Sequence, residues 1–320
     1  MGLKRILPGA LALLVLVLAG GLHFDGFLSA RVALDLLSDQ AVLGVAGLGA
    51  ACVLVAGGLD LSIGSLAALA SVLVARWIAI DGWPPAAAIG AALLAGASLG
   101  ALQGAAIARL ALPSFLVTLA GMFLFRGLAL GLAEESIGLG ARLGSAGIPL
   151  GGGLSLRAGG AVFLGLFAVL AVLSSRSRFF ARLDAIGGDE RAARLLGVPV
   201  ARTQVQVYAL SGACAALAGV VLAVASAAGS STACAGLELD AIAAAVVGGV
   251  ALGPGGGVFT GRGRGHVAGA FLGVLVFGVL ADLVLFEGTL SAGWTRVAMA
   301  GMLLVFLGGD RLLRRKSALA

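Results

Sequence analysis

The chain has 320 residues, of which 60% are hydrophobic and 11% are charged, and its mean hydropathy is +1.13. Apolar runs of about 20 residues recur along its whole length, which excludes a soluble domain and indicates a polytopic helical membrane protein. The net charge of +6 does not indicate a nucleic-acid partner, because the arginines follow the loops between apolar runs. We therefore predict an all-α fold, with residues 1–320 forming a single membrane domain.

The apolar runs predict about ten membrane spans in chain order. The first follows Lys4 and Arg5, is long for a signal peptide and lacks a small-residue exit, so we expect it to remain uncleaved. In the fourth span, Gly96, Gly100 and Gly104 recur at intervals of four and predict a face for close helix packing. The predicted spans are about 6–22, 41–58, 61–77, 85–107, 113–133, 158–174, 204–227, 241–253, 267–286 and 294–308.

The basic residues predict the orientation of these spans. With the N-terminus in the cytoplasm, 15 of the 21 lysines and arginines fall on the cytoplasmic side, 4 fall outside and 2 lie in or at spans. Cytoplasmic loops of membrane proteins carry an excess of Lys and Arg. Both termini are therefore predicted to be cytoplasmic, together with the loop at 176–203.

This loop, here called the arginine-rich loop, carries six arginines against three acids. Its centre predicts a short helix, since Asp189 suits an N-cap, Gly197 suits the C′ position and Pro199 prevents continuation. A two-turn helix is too short to be stable alone and must dock on another surface. The alternative is an ordinary cytoplasmic loop. The residues predicted to form the helix and its ends are Gly187, Gly188, Asp189, Glu190, Ala192, Ala193, Leu196 and Gly197.

A polar interruption separates the second and third predicted spans. Its motif is formed by Gly57, Gly58, Asp60 and Ser62, and it predicts a very tight turn. Asp60 is interpreted as the N-cap of the third span, and the alternative is a role with a coupling ion or a substrate. Asp240 is given the same capping interpretation at the start of the eighth span.

Two arginines, Arg126 and Arg296, lie in or at apolar runs. Each is expected to pair with a carboxylate or to extend toward a membrane interface. Asp282 in the ninth span is a candidate partner, although the sequence alone assigns no pairs.

The sequence carries no pattern typical of an enzyme. A P-loop is absent, and so is the Gly-x-Ser-x-Gly motif of serine hydrolases. His23 and His266 are far apart, which gives no basis for a metal site or a catalytic triad. The three cysteines show no paired spacing and are interpreted as packing residues. They are Cys52, Cys214 and Cys234.

Five segments resemble, in the same order, the membrane permease subunits of bacterial sugar-importing ABC transporters, in the ribose-type branch. They are GGLDLSIGSLAAL at 57–69, PSFLVTLAGMFLFRGLAL at 113–130, AIGGDERAARLLGV at 185–198, YALSGACAALAGVVLA at 208–223 and ELDAIAAAVVGG at 238–249. Two further stretches, AEESI at 133–137 and FEGTLSAGWTRVA at 286–298, resemble one of the two galactofuranose permease subunits.

The resemblance implies that the arginine-rich loop is a coupling loop, whose helix docks into a groove of a cytoplasmic ATPase. Related permeases share a Glu-Ala-Ala pattern followed, after three residues, by Gly. Ala192, Ala193 and Gly197 match it, whereas Arg191 occupies the glutamate position. A second departure is the stretch at 254–267, which is longer than the short glycine turn of the family.

Further partners are implied by the resemblance: a second permease subunit, identical or different, and a periplasmic sugar-binding protein. The chain would lie in the bacterial inner membrane and need no cofactor of its own, because the separate ATPase uses the ATP. Transport would proceed by alternating access. Weak hydroxyl contacts would suffice for a sugar, and the candidate substrate-path residues are Gln103, Ser114, Thr118, Ser211 and Ser226.

Other functions are also compatible with the sequence. An ion-coupled secondary transporter would need buried carboxylates, and Asp60, Asp240 and Asp282 are the candidates. Within the ABC class, the substrate could instead be another pentose or hexose, a nucleoside or another small furanose. An integral membrane enzyme is disfavoured, because no cluster of His, Asp, Glu or Cys has catalytic spacing.

Overall fold

A computed structural model of the chain describes residues 3–140, 147–151, 154–250, 266–289 and 292–318. These residues form 13 helices and four short strands. The helices are α1 (Leu3–His23), α2 (Ala30–Asp39), α3 (Ala41–Val55), α4 (Ile63–Ala79), α5 (Pro85–Leu110), α6 (Ser114–Leu132), α7 (Ala158–Arg176), α8 (Arg178–Gly188), α9 (Glu190–Leu195), α10 (Val200–Ser226), α11 (Leu237–Val247), α12 (His266–Glu287) and α13 (Ala292–Ala318). The strands are β1 (Ile137–Gly138), β2 (Gly147–Gly151), β3 (Leu154–Arg157) and β4 (Ala228–Gly229).

Several helices are suited to a membrane, which confirms a polytopic, mostly helical protein. Among the described residues, five helices are long and apolar enough to cross a bilayer, namely α5, α6, α7, α10 and α12. A sixth candidate is the pair α2 and α3, bent by 58°. Shorter apolar helices occur at Leu7–His23, Ile63–Ala79 and Gly293–Phe306. Length and composition thus give five or six spans, and the predicted ten spans and their orientation stay predictions.

The short strands depart from the purely helical prediction. In the connection after α6, β2 pairs antiparallel with β3, so that Ile148 lies opposite Leu156. β1 pairs antiparallel with β4 and joins the chain after α6 to the chain after α10. Pairing satisfies backbone groups that an irregular loop would leave to the solvent. The hairpin is attached to α2 by Arg157, whose guanidinium lies 3.3 Å from Asp35 and 2.9 Å from Asp39.

α10 lies at the centre of the bundle, packed against α3, α4 and α5. The predicted glycine face of α5 is confirmed, because its backbone lies directly on α10. A Cβ added to Gly100 would lie 2.1 Å from the carbonyl oxygen of Tyr208, and one added to Gly96 would lie 2.5 Å from that of Gly212. Small residues allow this approach, since any side chain there would separate the two backbones.

α11 has only 11 residues, about half of what a straight span requires. The chain before it turns back along α4, because Ser71 Oγ lies 3.3 Å from Ser230 O and a Cβ on Gly64 would lie 2.5 Å from Cys234 O. The helix starts after Gly236, earlier than predicted, so Asp240 lies in its first turn and does not cap it. Non-helical backbone of this kind is tolerated in a membrane only when it is buried in protein.

Candidate functional site

The arginine-rich loop contains the predicted short helix, with its predicted caps. Asp189 caps α9 by accepting a hydrogen bond from the Ala192 N–H at 3.0 Å. Gly197 follows the helix with φ +80°, the left-handed conformation that suits glycine. The loop also contains α8, which the sequence did not predict. Gly187 and Gly188, predicted to lie at the start of the short helix, instead form the last two residues of α8.

The loop has a small core of its own. Ile186 of α8, Ala193 of α9 and Val200 of α10 are buried together and are each less than 5% exposed. On the other side of α9, Leu195 is 90% exposed and Leu196 is 82% exposed. The two short helices therefore form a compact unit that presents adjacent leucines to its surroundings.

The predicted turn between the second and third spans is a partly buried, non-helical stretch, here called the unwound segment, residues 56–62, in which Asp60 and Ser62 are buried. α3 ends at Val55, and the chain remains non-helical until α4 begins at Ile63. The N-cap of α4 is Ser62, so the interpretation of Asp60 as the N-cap was wrong. Asp60 lies two residues earlier and is 4% exposed, and its Oδ1 accepts a hydrogen bond from the Ser62 N–H at 3.0 Å.

Ser62 and Ser211 bond directly to Asp60, and Gln103 extends this network through Ser62. Ser211 of α10 donates its hydroxyl to Asp60 Oδ2 at 2.7 Å. Ser62 donates its hydroxyl to Asp60 Oδ1, also at 2.7 Å, and this hydroxyl lies 3.1 Å from the Gln103 side-chain oxygen. Because Ser62 has one hydroxyl proton, the amide orientation that fits has Gln103 donating to Ser62 Oγ. That orientation also gives a partner to Gln103 Nε2, a buried atom otherwise unpaired among the described residues.

Leu59 of the same segment is held through its backbone. Its N–H donates to Ser114 Oγ of α6 at 3.2 Å, and its carbonyl oxygen accepts from the Tyr208 hydroxyl of α10 at 3.2 Å. Thr118 Oγ1 lies 3.3 Å from the same carbonyl oxygen. The unwound segment is thus bound to α5, α6 and α10 by side-chain hydrogen bonds.

Four of the five candidate substrate-path residues therefore meet at the unwound segment, namely Gln103, Ser114, Thr118 and Ser211. The fifth, Ser226, lies elsewhere and bonds to backbone oxygens near the end of α10. Sequence reasoning missed Tyr208. Its signal was its position three residues before Ser211, which places both side chains on one face of α10.

Of the two arginines in apolar runs, Arg126 has other partners than the predicted one. Arg126 Nη1 donates to the carbonyl oxygens of Ser231 and Ala233, before α11, rather than pairing with Asp282. Arg296 and Asp240 line the same cavity of about 330 Å³. The departure noted at 254–267 lies almost wholly outside the described residues.

Comparison with known proteins places the chain in a family. The sequence profile described as branched-chain amino acid transport system / permease component matches residues 32–307. The chain is 38% identical over 317 residues to the inner membrane ABC transporter permease protein YjfF of Escherichia coli K12, which covers 97% of this chain and 93% of that protein. No solved structure matches the chain.

Two further relatives are named for the sugars that they import. The ribose import permease protein RbsC of Bacillus subtilis is 36% identical over 281 residues, 87% of this chain and 84% of that protein. The fructose import permease protein FrcC of Rhizobium meliloti is 32% identical over 329 residues, 97% of this chain and 87% of that protein. These relatives are transporter permeases and not enzymes. The chain therefore belongs to the branched-chain amino acid transport system / permease component family, in its ribose-type branch of ABC sugar permeases.

Proposed function

We propose that the chain is the membrane permease subunit of a binding-protein-dependent ABC importer that carries a monosaccharide into the cytoplasm. The relatives named for ribose and fructose import support a sugar substrate. The excess of basic residues on one side, 15 against 4, supports ten spans with both termini in the cytoplasm. The chain acts as one permease domain in the bacterial inner membrane.

The observation that carries this proposal is the exposed pair Leu195 and Leu196 on a rigid, capped loop. Burial of a leucine side chain stabilises a complex by about 1.5–3 kcal/mol, so two adjacent leucines form an effective anchor. The cytoplasmic ATPase subunit is the partner whose groove receives them. Arginines on the same loop, such as Arg191, provide polar contacts around the anchor.

The proposed substrate is a furanose sugar, and galactofuranose is the specific candidate because of the stretches at 133–137 and 286–298. Gln103, Ser114, Thr118 and Ser211 remain the proposed substrate-path residues in a restricted sense. In this conformation their polar groups hold the unwound segment, so a sugar would reach them only after that segment moves. A periplasmic sugar-binding protein delivers the sugar, and a second permease subunit completes the path.

The test is reconstitution of the chain with its ATPase in proteoliposomes, followed by labelled sugar uptake and co-purification. Ala193→Pro removes the hydrogen bond from Ala193 N–H to Asp189 O, and Leu196→Asp places a charge in the anchor. We expect both variants to lose the ATPase and the ATP-dependent uptake. Ala201→Pro and Ala201→Asp are matched controls, because Ala201 is exposed in the first turn of α10.

The result that would contradict the proposal is equally direct. A chain that purifies without an ATPase and still moves sugar in ATP-free liposomes would be an ion-coupled transporter. Undiminished uptake with Leu196→Asp would show that the leucines are not the anchor.

A further inference from the structure

We propose that the unwound segment, residues 56–62, receives the movement of the arginine-rich loop, and that Gly187 and Tyr208 are positioning residues for this step. The inference rests on the proposed function, because it assumes that an ATPase moves the loop. The route runs from the loop to the bundle through the backbone contact at Gly187 and the side-chain hydrogen bonds at Leu59 and Asp60.

The first contact joins the loop to the start of the segment. A Cβ added to Gly187, at the end of α8, would lie 1.8 Å from the carbonyl oxygen of Val55, and one added to Gly57 would lie 3.8 Å from the Gly187 Cα. The two backbones therefore touch without an intervening side chain. A shift of α8 cannot be absorbed by a change of rotamer and must displace the end of α3.

The loop is built to move as one piece. Ile186, Ala193 and Val200 bind α8, α9 and the start of α10 through their shared core. Next to it, a cavity of about 310 Å³ separates Glu190 and Arg194 of α9 from the turn at 56–58. α9 can therefore approach or leave this turn, whereas α8 already touches it.

The far end of the segment transmits the displacement to other helices. Leu59 is bonded to Ser114 of α6 and to Tyr208 of α10, and Asp60 is bonded to Ser211 of α10. Only 22% of the apolar, membrane-spanning stretch of α6 is buried in the protein, against 67% of that of α10. Because α10 beyond its first turn is packed more tightly in the core than α6, a displaced segment moves α6 more readily than α10.

The experiment measures how many sugar molecules enter per ATP hydrolysed in proteoliposomes that contain the complete importer. Gly187→Ala inserts a methyl group between the loop and Val55, and we expect the ratio to fall at least about fivefold, the low end of coupling between two sites. Gly165→Ala is the matched control, because a Cβ at Gly165 of α7 meets nothing within 4 Å.

Tyr208→Phe keeps the ring and removes only the hydroxyl that donates to Leu59 O, so it tests the same route if Gly187→Ala fails to fold. We expect it, too, to lower the ratio of sugar to ATP. A wild-type ratio in the folded variants would overturn the inference, as would equal losses of uptake and hydrolysis that leave the ratio unchanged. Absence of ATP-driven uptake by the wild-type importer would instead refute the proposed function.

Discussion

Replacement of Asp60 by asparagine separates a structural carboxylate from an ion-coupling carboxylate. Asp60 is 4% exposed and accepts three hydrogen bonds, from the Ser62 N–H, the Ser62 hydroxyl and the Ser211 hydroxyl. Asparagine keeps one oxygen for Ser62, and the Ser211 hydroxyl can turn to accept from the new amide. The variant therefore loses mainly charge assistance, which we place at about 1–3 kcal/mol of stability.

Alanine at the same position removes all three acceptor contacts. It leaves buried donors on Ser62 and Ser211 without their partner, and each such group costs about 1–3 kcal/mol. With three donors left without a partner, we expect Asp60→Ala to lose about 3–9 kcal/mol, clearly more than Asp60→Asn. Asp81→Asn is the matched control, since Asp81 is exposed and surface changes cost less than about 0.5 kcal/mol.

The assay is thermal unfolding of the purified variants in one detergent, combined with uptake measured at several proton and sodium gradients. The structural interpretation requires that stability falls from Asp81→Asn to Asp60→Asn and falls further to Asp60→Ala. It also requires that uptake does not depend on either gradient. Equal unfolding temperatures for Asp60→Asn and the control would refute the reasoning. So would a wild-type uptake that follows an ion gradient and loses this dependence in Asp60→Asn.

Two further predictions concern packing and the segment before α11. Gly100→Leu should lower the unfolding temperature by the equivalent of about 1–3 kcal/mol, because its Cβ would meet Tyr208 O at 2.1 Å, whereas Gly90→Leu on the same helix faces open space and should not. Arg126→Leu should cost about 2–4 kcal/mol and expose the chain at 229–236 to proteolysis, because the carbonyl oxygens of Ser231 and Ala233 lose their donor. Arg31→Leu, at an exposed position, is its control; unchanged proteolysis in Arg126→Leu would contradict that role.

Local signals in the sequence were sufficient where the structure depends on neighbouring residues. The caps at Asp189 and Gly197 depend on atoms within a few positions, and both are where the sequence predicts them. The glycine face around Gly100 is likewise a property of one helix. These features follow from side-chain chemistry and helical periodicity alone.

Features that depend on distant residues were not accessible in the same way. Asp60 was interpreted as an N-cap from its neighbours, whereas its position also depends on Ser211, which is 151 residues away. Ser226 has the same chemistry as Ser211 but lies 15 residues further along α10, about 22 Å, and so cannot reach the segment. The hairpin of β2 and β3 was missed because a glycine-rich connection carries little strand signal.

The arrangement around the unwound segment is difficult to explain by stability alone. A continuous helix through residues 56–62 would satisfy its own backbone, whereas the observed stretch needs polar side chains from α5, α6 and α10. Buried polar networks are costly when any member lacks a partner, and an apolar alternative of similar shape is often as stable. A segment that moves during transport has requirements different from those of a segment that only stabilises the fold. It must have backbone groups free of helical bonds, small residues such as Gly57 and Gly58 at one end, and hydrogen bonds that can be exchanged when it shifts. The segment has these properties at the place where the arginine-rich loop touches the bundle.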